Sequence, residues 1–258
     1  MTVASAAVLL RSARRAVALT GAGISTESGL PDFRSPDGLW ANVDPLAIAS
    51  RSALERRPEA FYEFYRNRLS KLGQARPNAG HAALAALERA GRLRAVITQN
   101  VDGLHQAAGS RQVIELHGNL REAACSGCGA IGPISLIVDA LEASALPHCG
   151  RCGGLLKPNV VLFEDLMPEG PWQRAVLAAR ACDVMLVVGS SLQVTPAAHL
   201  PQEALDRGGR LLIVNREATP YDRLATVTIQ GEAGQVLPEM VTAVCAGAQE
   251  EGFSQATN

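Results

Sequence analysis

Cys125-x-x-Cys128 and Cys149-x-x-Cys152 are two short thiol turns separated by 20 residues, 129–148. Two such turns at this separation match the ligand spacing of a tetrahedral four-thiolate zinc site. Four sulfurs leave no coordination position for water, so such a metal holds structure and does no chemistry. Gly127, Gly129, Gly150 and Gly153 flank the turns, and glycine supplies the tight backbone that metal knuckles need. The alternatives are two disulfides or two unrelated cysteine pairs. His148 adjoins Cys149 as a competing ligand, although four thiolates suffice. Cys182 and Cys245 stand alone. Lone thiols beside a zinc site point to a reducing compartment, the cytoplasm.

A second group of residues could hold a phosphate. Gly21-Ala-Gly23-Ile-Ser-Thr26 follows a short apolar run. Its glycines allow a tight turn and a close approach of backbone N–H groups to an anion. The third glycine of a dinucleotide fingerprint is missing, as is the acidic residue about 20 positions on. An ordinary redox dehydrogenase therefore fits poorly. Gly29-Leu-Pro-Asp-Phe-Arg34 comes next, and packing requires neither its Asp, its aromatic nor its Arg. Thr98-Gln-Asn-Val-Asp-Gly-Leu-His105 and Glu115-Leu-His117-Gly118 follow later apolar runs. An imidazole titrates near working pH, at about 6.5, so a histidine there suits a general base. A hydrogen-bonded structural histidine is the competing reading, and His81, His105, His148 and His199 keep it.

The elements that must position these groups are apolar runs alternating with helical patterns. The runs are Arg15-Ala-Val-Ala-Leu-Thr20, Ala95-Val-Ile-Thr98, Val113-Ile-Glu-Leu116, Val184-Met-Leu-Val-Val188, Leu211-Leu-Ile-Val214 and Val227-Thr-Ile229. Helical patterns cover residues 81–90 and 171–181, and a first helix covers 4–14. This alternation predicts an α/β fold with a doubly wound parallel sheet, whose ligand sits at the carboxyl ends of the strands. Gly21, Gln99, Asn100, Gly189 to Ser191 and Asn215 stand at four such ends. Segments 36–78 and 121–157 interrupt the sheet pattern. The expected division is a large nucleotide-binding domain of residues 1–35, 79–120 and 158–246. A small helical and zinc-binding domain takes 36–78 and 121–157, and 247–258 form a flexible tail.

Composition narrows the class. The chain has 258 residues, 47% hydrophobic and 19% charged, as a globular protein with a real core requires. Its net charge of −1 provides no field for nucleic acid or an anionic membrane. There is no basic, aromatic stripe of the kind a nucleic-acid-binding zinc module carries. No apolar run approaches the ~20 residues that span a bilayer. Arg11, Arg14 and Arg15 follow the first apolar stretch rather than precede it, the reverse of a signal peptide.

Taken together, the chain resembles the sirtuins, NAD-dependent protein-lysine deacylases. The resemblance rests on Gly21-Ala-Gly-Ile-Ser25, Gly29-Leu-Pro-Asp-Phe-Arg34, Thr98-Gln-Asn-Val-Asp102, His117-Gly118, the two cysteine pairs, Lys157-Pro-Asn-Val-Val161, Gly189-Ser-Ser191 and Val214-Asn215, in the family's order. It implies a Rossmann-like domain holding NAD, a smaller domain with one structural Zn2+, and acyl-lysine proteins or peptides as substrates. The acyl oxygen attacks the nicotinamide ribose, nicotinamide leaves, and the products are O-acyl-ADP-ribose and free lysine. His117 is then the general base and Asn100 orders the ribose and a water. Asp102 contacts the nicotinamide amide, and Gln99 and Val101 line the same pocket. Asp32 and Arg34 hold the pyrophosphate and nicotinamide ends. Phe33 shields the reacting carbon from water, which would otherwise intercept it, and Trp40 is a further cofactor-binding residue. Gly21, Ala22, Gly23 and Ile24 form the phosphate loop. Gly189, Ser190, Ser191, Asn215 and Ala233 serve the adenosine side. Val161 and Phe163 pair with the substrate backbone. Mono-ADP-ribosyl transfer to proteins is the alternative within the same chemistry.

The acyl group is addressed by Tyr65-Arg-Asn-Arg68. Positions i and i+3 share a helix face. A guanidinium grips a carboxylate with two parallel hydrogen bonds, and a phenol adds a third. The sirtuin branch that removes succinyl and malonyl groups has such a Tyr-x-x-Arg pair, with an alanine 16 residues earlier; here that residue is Ala49. An amphipathic helix with Arg68 in solvent, and a deacetylase without acidic-acyl activity, is the competing reading. Asp32 departs from that branch, which usually has Thr. Phe163-Glu-Asp165 departs from the family's usual Phe-Gly-Glu and is expected to place negative charge beside the peptide, favouring basic substrates.

Overall fold

The computed structural model describes residues 2–33, 35, 36, 38–41 and 43–255, with side chains described through residue 246. Its strands are β1 (Ala16–Thr20), β2 (Ala95–Thr98), β3 (Val113–Glu115), β4 (Gly118–Cys125), β5 (Ile131–Pro133), β6 (Leu156–Val160), β7 (Val184–Val188), β8 (Arg210–Asn215) and β9 (Val227–Gln230). The helices are α1 (Val3–Ser12), α2 (Pro45–Ile48), α3 (Arg51–Arg56), α4 (Pro58–Gln74), α5 (Ala79–Arg89), α6 (Leu104–Ala107), α7 (Ser135–Glu142), α8 (Glu169–Ala181), α9 (Leu200–Leu205) and α10 (Ala233–Gln255).

Six strands form a parallel sheet in the order β3-β2-β1-β7-β8-β9. Every residue of β1 and β7 is buried. Both faces of the sheet are covered by helices, which is why these strands read as unbroken apolar runs without alternation. On one face α1, α5 and α10 pack through Leu10, Leu84, Leu87, Leu237 and Met240. On the other, α8 and α9 pack through Ala175, Ala179, Leu200 and Ala204. Strand β1 has β2 on one side and β7 on the other, so the chain order reverses there. Loops leaving β1 and β7 diverge at such a point and open a crevice for ligand. The first helix ends at Ser12, short of the expected 14. The backbone N–H groups of Arg14 and Arg15 donate instead to Asp183, at 2.7 and 3.0 Å, which draws the chain straight into β1.

The chain leaves this sheet just after β3. Gly118 takes a left-handed φ of 76°, and a Cβ there would strike the Asn159 carbonyl. Strand β4 then pairs antiparallel with β5 and β6 in a three-stranded sheet. Its core joins Phe61, Tyr62 and Tyr65 of α4, Ile137 and Leu141 of α7, and Leu120, Leu156, Cys125 and Cys149. The Tyr62 hydroxyl donates to the Leu156 carbonyl at 2.7 Å, locking α4 onto β6. Among the described residues no helix is long and apolar enough to cross a membrane.

Candidate active site and metal centre

The four cysteines converge. Their sulfurs all lie within 4.8 Å of one another. Cys125 and Cys152 stand 3.4 Å apart, Cys128 and Cys149 3.9 Å. Zinc–sulfur bonds of about 2.3 Å at tetrahedral angles place the sulfurs ~3.8 Å apart, so the residues fit the ion. All four cysteines are free thiols rather than disulfides. Gly129 and Gly153 have φ of 68° and 75°, the left-handed turns that close each knuckle. Backbone N–H groups of Gly127 and Cys128 point at the Cys125 sulfur, both at 3.4 Å. His148 turns away: its Nδ1 bonds the Gly153 carbonyl at 2.8 Å.

A cleft of about 430 Å³ runs along the carboxyl ends of β1, β2, β7 and β8. The β1 loop lines it with Gly21, Ala22 and Gly23, followed by Asp32, Phe33 and Trp40. The end of β2 adds Gln99, Asn100 and Val101; the β7 end adds Gly189, Ser190 and Ser191; Asn215 and Ala233 close the far side. His117, Val161, Phe163, Ala49, Tyr65 and Arg68 line the other flank. Asp102 lies outside this cleft, in an adjoining cavity of about 110 Å³ that also touches Ala22, Phe33, Arg68, Asn100 and Val101. The Ile24 side chain is fully buried in the core beneath the loop and faces neither space. Arg34 lies outside the described residues.

The glycine loop is built for backbone contact. The Gly21 N–H donates to the Val188 carbonyl at 3.1 Å and the Gly23 N–H to the Gly189 carbonyl at 2.8 Å. A Cβ on Gly21 would come within 2.8 Å of the Gly189 oxygen. These two N–H groups therefore tie the β1 loop to β7, and the absence of side chains keeps the floor of the cleft bare. The bare floor leaves room for a bulky ligand, and the buried Asn100 Oδ1, with no hydrogen-bond partner among the described residues, fits a ligand that brings a hydroxyl donor.

His117 sits at the crossing between the two sheets. Leu116 N–H bonds the Thr98 carbonyl at 2.9 Å, and the His117 carbonyl accepts from Val161 at 2.9 Å. The ring Nδ1 lies 2.9 Å from the Gln99 carbonyl. A carbonyl only accepts, so Nδ1 carries the proton and Nε2 presents a lone pair. Burial holds the His117 pKa below its ordinary 6.5, partly offset by the Gln99 bond, which favours the neutral form that a base requires.

Behind the cleft, Ser25 links three elements. It donates to Asp102 at 2.7 Å and accepts from the Asn100 amide at 3.1 Å. Thr20 donates to Thr98 at 2.8 Å and faces His105 Nε2 at 2.9 Å. His81 and His105 are buried against each other, with ring centroids 4.9 Å apart. Burial pushes them down to about 4 and about 3. Sequence reasoning passed over Ser25 as one letter of a motif. It also missed Arg216, which pairs with Asp32 across the cleft at 3.5 Å; its place directly after Asn215 at a strand end was the available signal.

Glu164 and Asp165 differ in their partners. The Glu164 carboxylate accepts from the Ser52 N–H at 2.9 Å and from its hydroxyl at 2.8 Å, capping α3. Asp165 accepts from Arg51 Nε at 2.9 Å and Nη2 at 2.6 Å, with Lys157 Nζ at 3.5 Å. Asp165 is thus paired with cations of the chain, whereas Glu164 is bonded, among the described residues, only to neutral groups of Ser52 and keeps its negative charge among the residues that line the cleft.

Comparison with known proteins agrees with this geometry. The model of the Sir2 family matches residues 21–196. An NAD-dependent protein deacetylase of Caldivirga maquilingensis is 51% identical over 233 residues, covering 90% of each chain. An NAD-dependent protein deacylase of Archaeoglobus fulgidus is 46% identical over 94% of this chain and 96% of its own. A solved complex of Sir2 with p53 peptide and NAD+ superposes with a TM-score of 0.86 at 39% identity, over 98% of this chain and 100% of that one. The chain belongs to the Sir2 family.

Proposed function

We propose that this protein is an NAD-dependent protein-lysine deacylase that takes acetyl-lysine and, through Tyr65 and Arg68, succinyl- and malonyl-lysine. The reaction class is carried by His117, whose lone-pair nitrogen lines the same cleft as Asn100, Phe33 and the bare glycine floor. Bound NAD supplies an electrophilic ribose carbon with nicotinamide as leaving group. His117 Nε2 takes a proton from a ribose hydroxyl, and Asn100 Oδ1 accepts a hydrogen bond from the same sugar. Phe33 and Trp40 keep water off the reacting carbon. Gly21, Ala22 and Gly23 form the floor under the phosphates, and Asp32 and Arg34 hold the pyrophosphate and nicotinamide ends. Ser190, Ser191, Asn215 and Ala233 serve the adenosine end, and Asp102 the amide end. Val161 and Phe163 offer backbone to the peptide. The four cysteines would hold Zn2+ as a cross-link between the β4–β5 hairpin and the turn before β6. The domain limits proposed are those of the sequence pattern, 1–35 with 79–120 and 158–246, and 36–78 with 121–157. A cytoplasmic setting accords with six free thiols.

The acidic-acyl reading is supported by one observation. Tyr65 and Arg68 line the cleft with the small, buried Ala49, and among the described residues neither the phenol nor the guanidinium has a hydrogen-bond partner. A carboxylate would satisfy both. The test is nicotinamide release with NAD and paired peptides differing only in acetyl- or succinyl-lysine. Release with both is expected. Release with acetyl alone would remove the clamp, and release with neither would remove the deacylase reading.

A further inference from the structure

Arg68 has neighbours that gripping a carboxylate does not require. Its guanidinium carbon lies 5.1 Å from the Phe33 ring centroid and 6.0 Å from that of Phe64. Phe33 stacks on Trp40 at 5.4 Å, and Trp40 on Phe64 at 5.7 Å. Arg68, Phe33 and Phe64 line both the large cleft and the smaller cavity that holds Asp102. They are therefore part of the wall between the two spaces. Burial lowers the Arg68 pKa, and Tyr65 and Asp102 oppose that shift. Ring faces attract a cation, but more weakly than a two-pronged carboxylate does. A ligand carboxylate arriving beside Tyr65 competes with the rings for one guanidinium.

We propose that Arg68 is a positioning residue for Phe33. Without an acyl carboxylate it anchors the Phe33–Trp40 stack beside the cofactor cleft. An acyl carboxylate that takes the guanidinium loosens the stack, so the identity of the acyl group is felt in cofactor affinity. The second step rests on the acidic-acyl reading above; the first does not.

The chain has two tryptophans, Trp40 and Trp172, so Trp172→Phe leaves Trp40 as the only reporter. In that background, succinyl-lysine peptide should change Trp40 emission, and the acetyl-lysine peptide of the same sequence should change it far less. Arg68→Met should raise the NAD KM measured with acetyl peptide about three- to tenfold, a larger change than in the acetyl-peptide KM. Arg68→Lys keeps the cation and should restore the NAD KM without restoring succinyl binding. Arg68→Gln is the second neutral variant should Arg68→Met melt early. An NAD KM on acetyl peptide that is unmoved in a stably folded neutral variant overturns the anchoring role. Succinyl peptide that binds, by calorimetry, without changing Trp40 emission overturns the coupling. Succinyl peptide that fails to bind overturns the acidic-acyl reading and the coupling together, and the NAD KM series measured with acetyl peptide then decides the anchoring alone.

Discussion

The hydroxyl of Ser25 donates to the carboxylate of Asp102 at 2.7 Å, joining the loop after β1 to the loop after β2. The same oxygen accepts from Asn100, so one small side chain sets the position of two residues on the cleft wall. Ser25→Ala leaves both without that partner. Hydrogen bonds to charged groups contribute about 1.5–3 kcal/mol, so a stability loss of about 1–3 kcal/mol is expected, with kcat lowered at least about tenfold through misplacement of Asn100. Denaturant unfolding and steady-state kinetics measure the two. Unchanged kcat would show that Asn100 is held without Ser25.

His117→Ala should lower kcat by about 10²- to 10⁴-fold, the range for removing a general base, while the melting temperature stays near wild type. Because burial lowers the His117 pKa from 6.5, the acid limb of kcat/KM should fall below pH 6.5. A limb centred above that value would assign the proton to another group.

Stability should depend on pH through His81 and His105. Both folded values, about 4 and about 3, lie below the ordinary histidine value of 6.5. The unfolded chain therefore binds more protons as pH falls, and stability is lost progressively from about pH 6.5 down toward pH 3. His105→Gln should flatten this decline. A melting temperature constant from pH 7 to pH 4.5 would contradict the buried, neutral assignment.

Cys149→Ala should abolish stoichiometric zinc and lower the melting temperature by about 5 °C or more, since ion binding is coupled to folding of the small sheet. Elemental analysis with a thermal scan is sufficient. A variant that melts like wild type without zinc would show that Tyr62, Ile137 and their neighbours hold the small module alone.

Glu164 adopts φ of 72° and caps α3 through Ser52. Glu164→Ala keeps the left-handed strain and loses the cap, so its melting temperature should fall. Glu164→Gly loses the cap but relieves the strain, and should melt closer to wild type. The reverse order would mean that the left-handed backbone at Glu164 carries no strain, and a Glu164→Ala variant that melts like wild type would mean that the Ser52 contact has no energetic weight.

The large sheet was readable because β1 and β7 are buried on both faces and so appear as unbroken apolar runs. The catalytic loops could be placed at strand ends by the same reasoning. The cysteine turns were readable because two residues between ligands fix a knuckle locally, and glycine marks where the backbone must turn left-handed. What the sequence by itself determined is thus the set of groups whose chemistry depends on residue type and short spacing, four thiols and a glycine loop, while the histidine after β3 was singled out by the resemblance of its motif to the family. Tertiary structure alone decided their partners. Ser25 and Asp102 are 77 positions apart and Ser52 and Glu164 are 112 apart. Arg68 meets Phe33, and Asp32 meets Arg216, only because α4, the β1 loop and β8 are packed around one cleft. Such pairings depend on distances across the fold, and no local pattern in the chain encodes those distances.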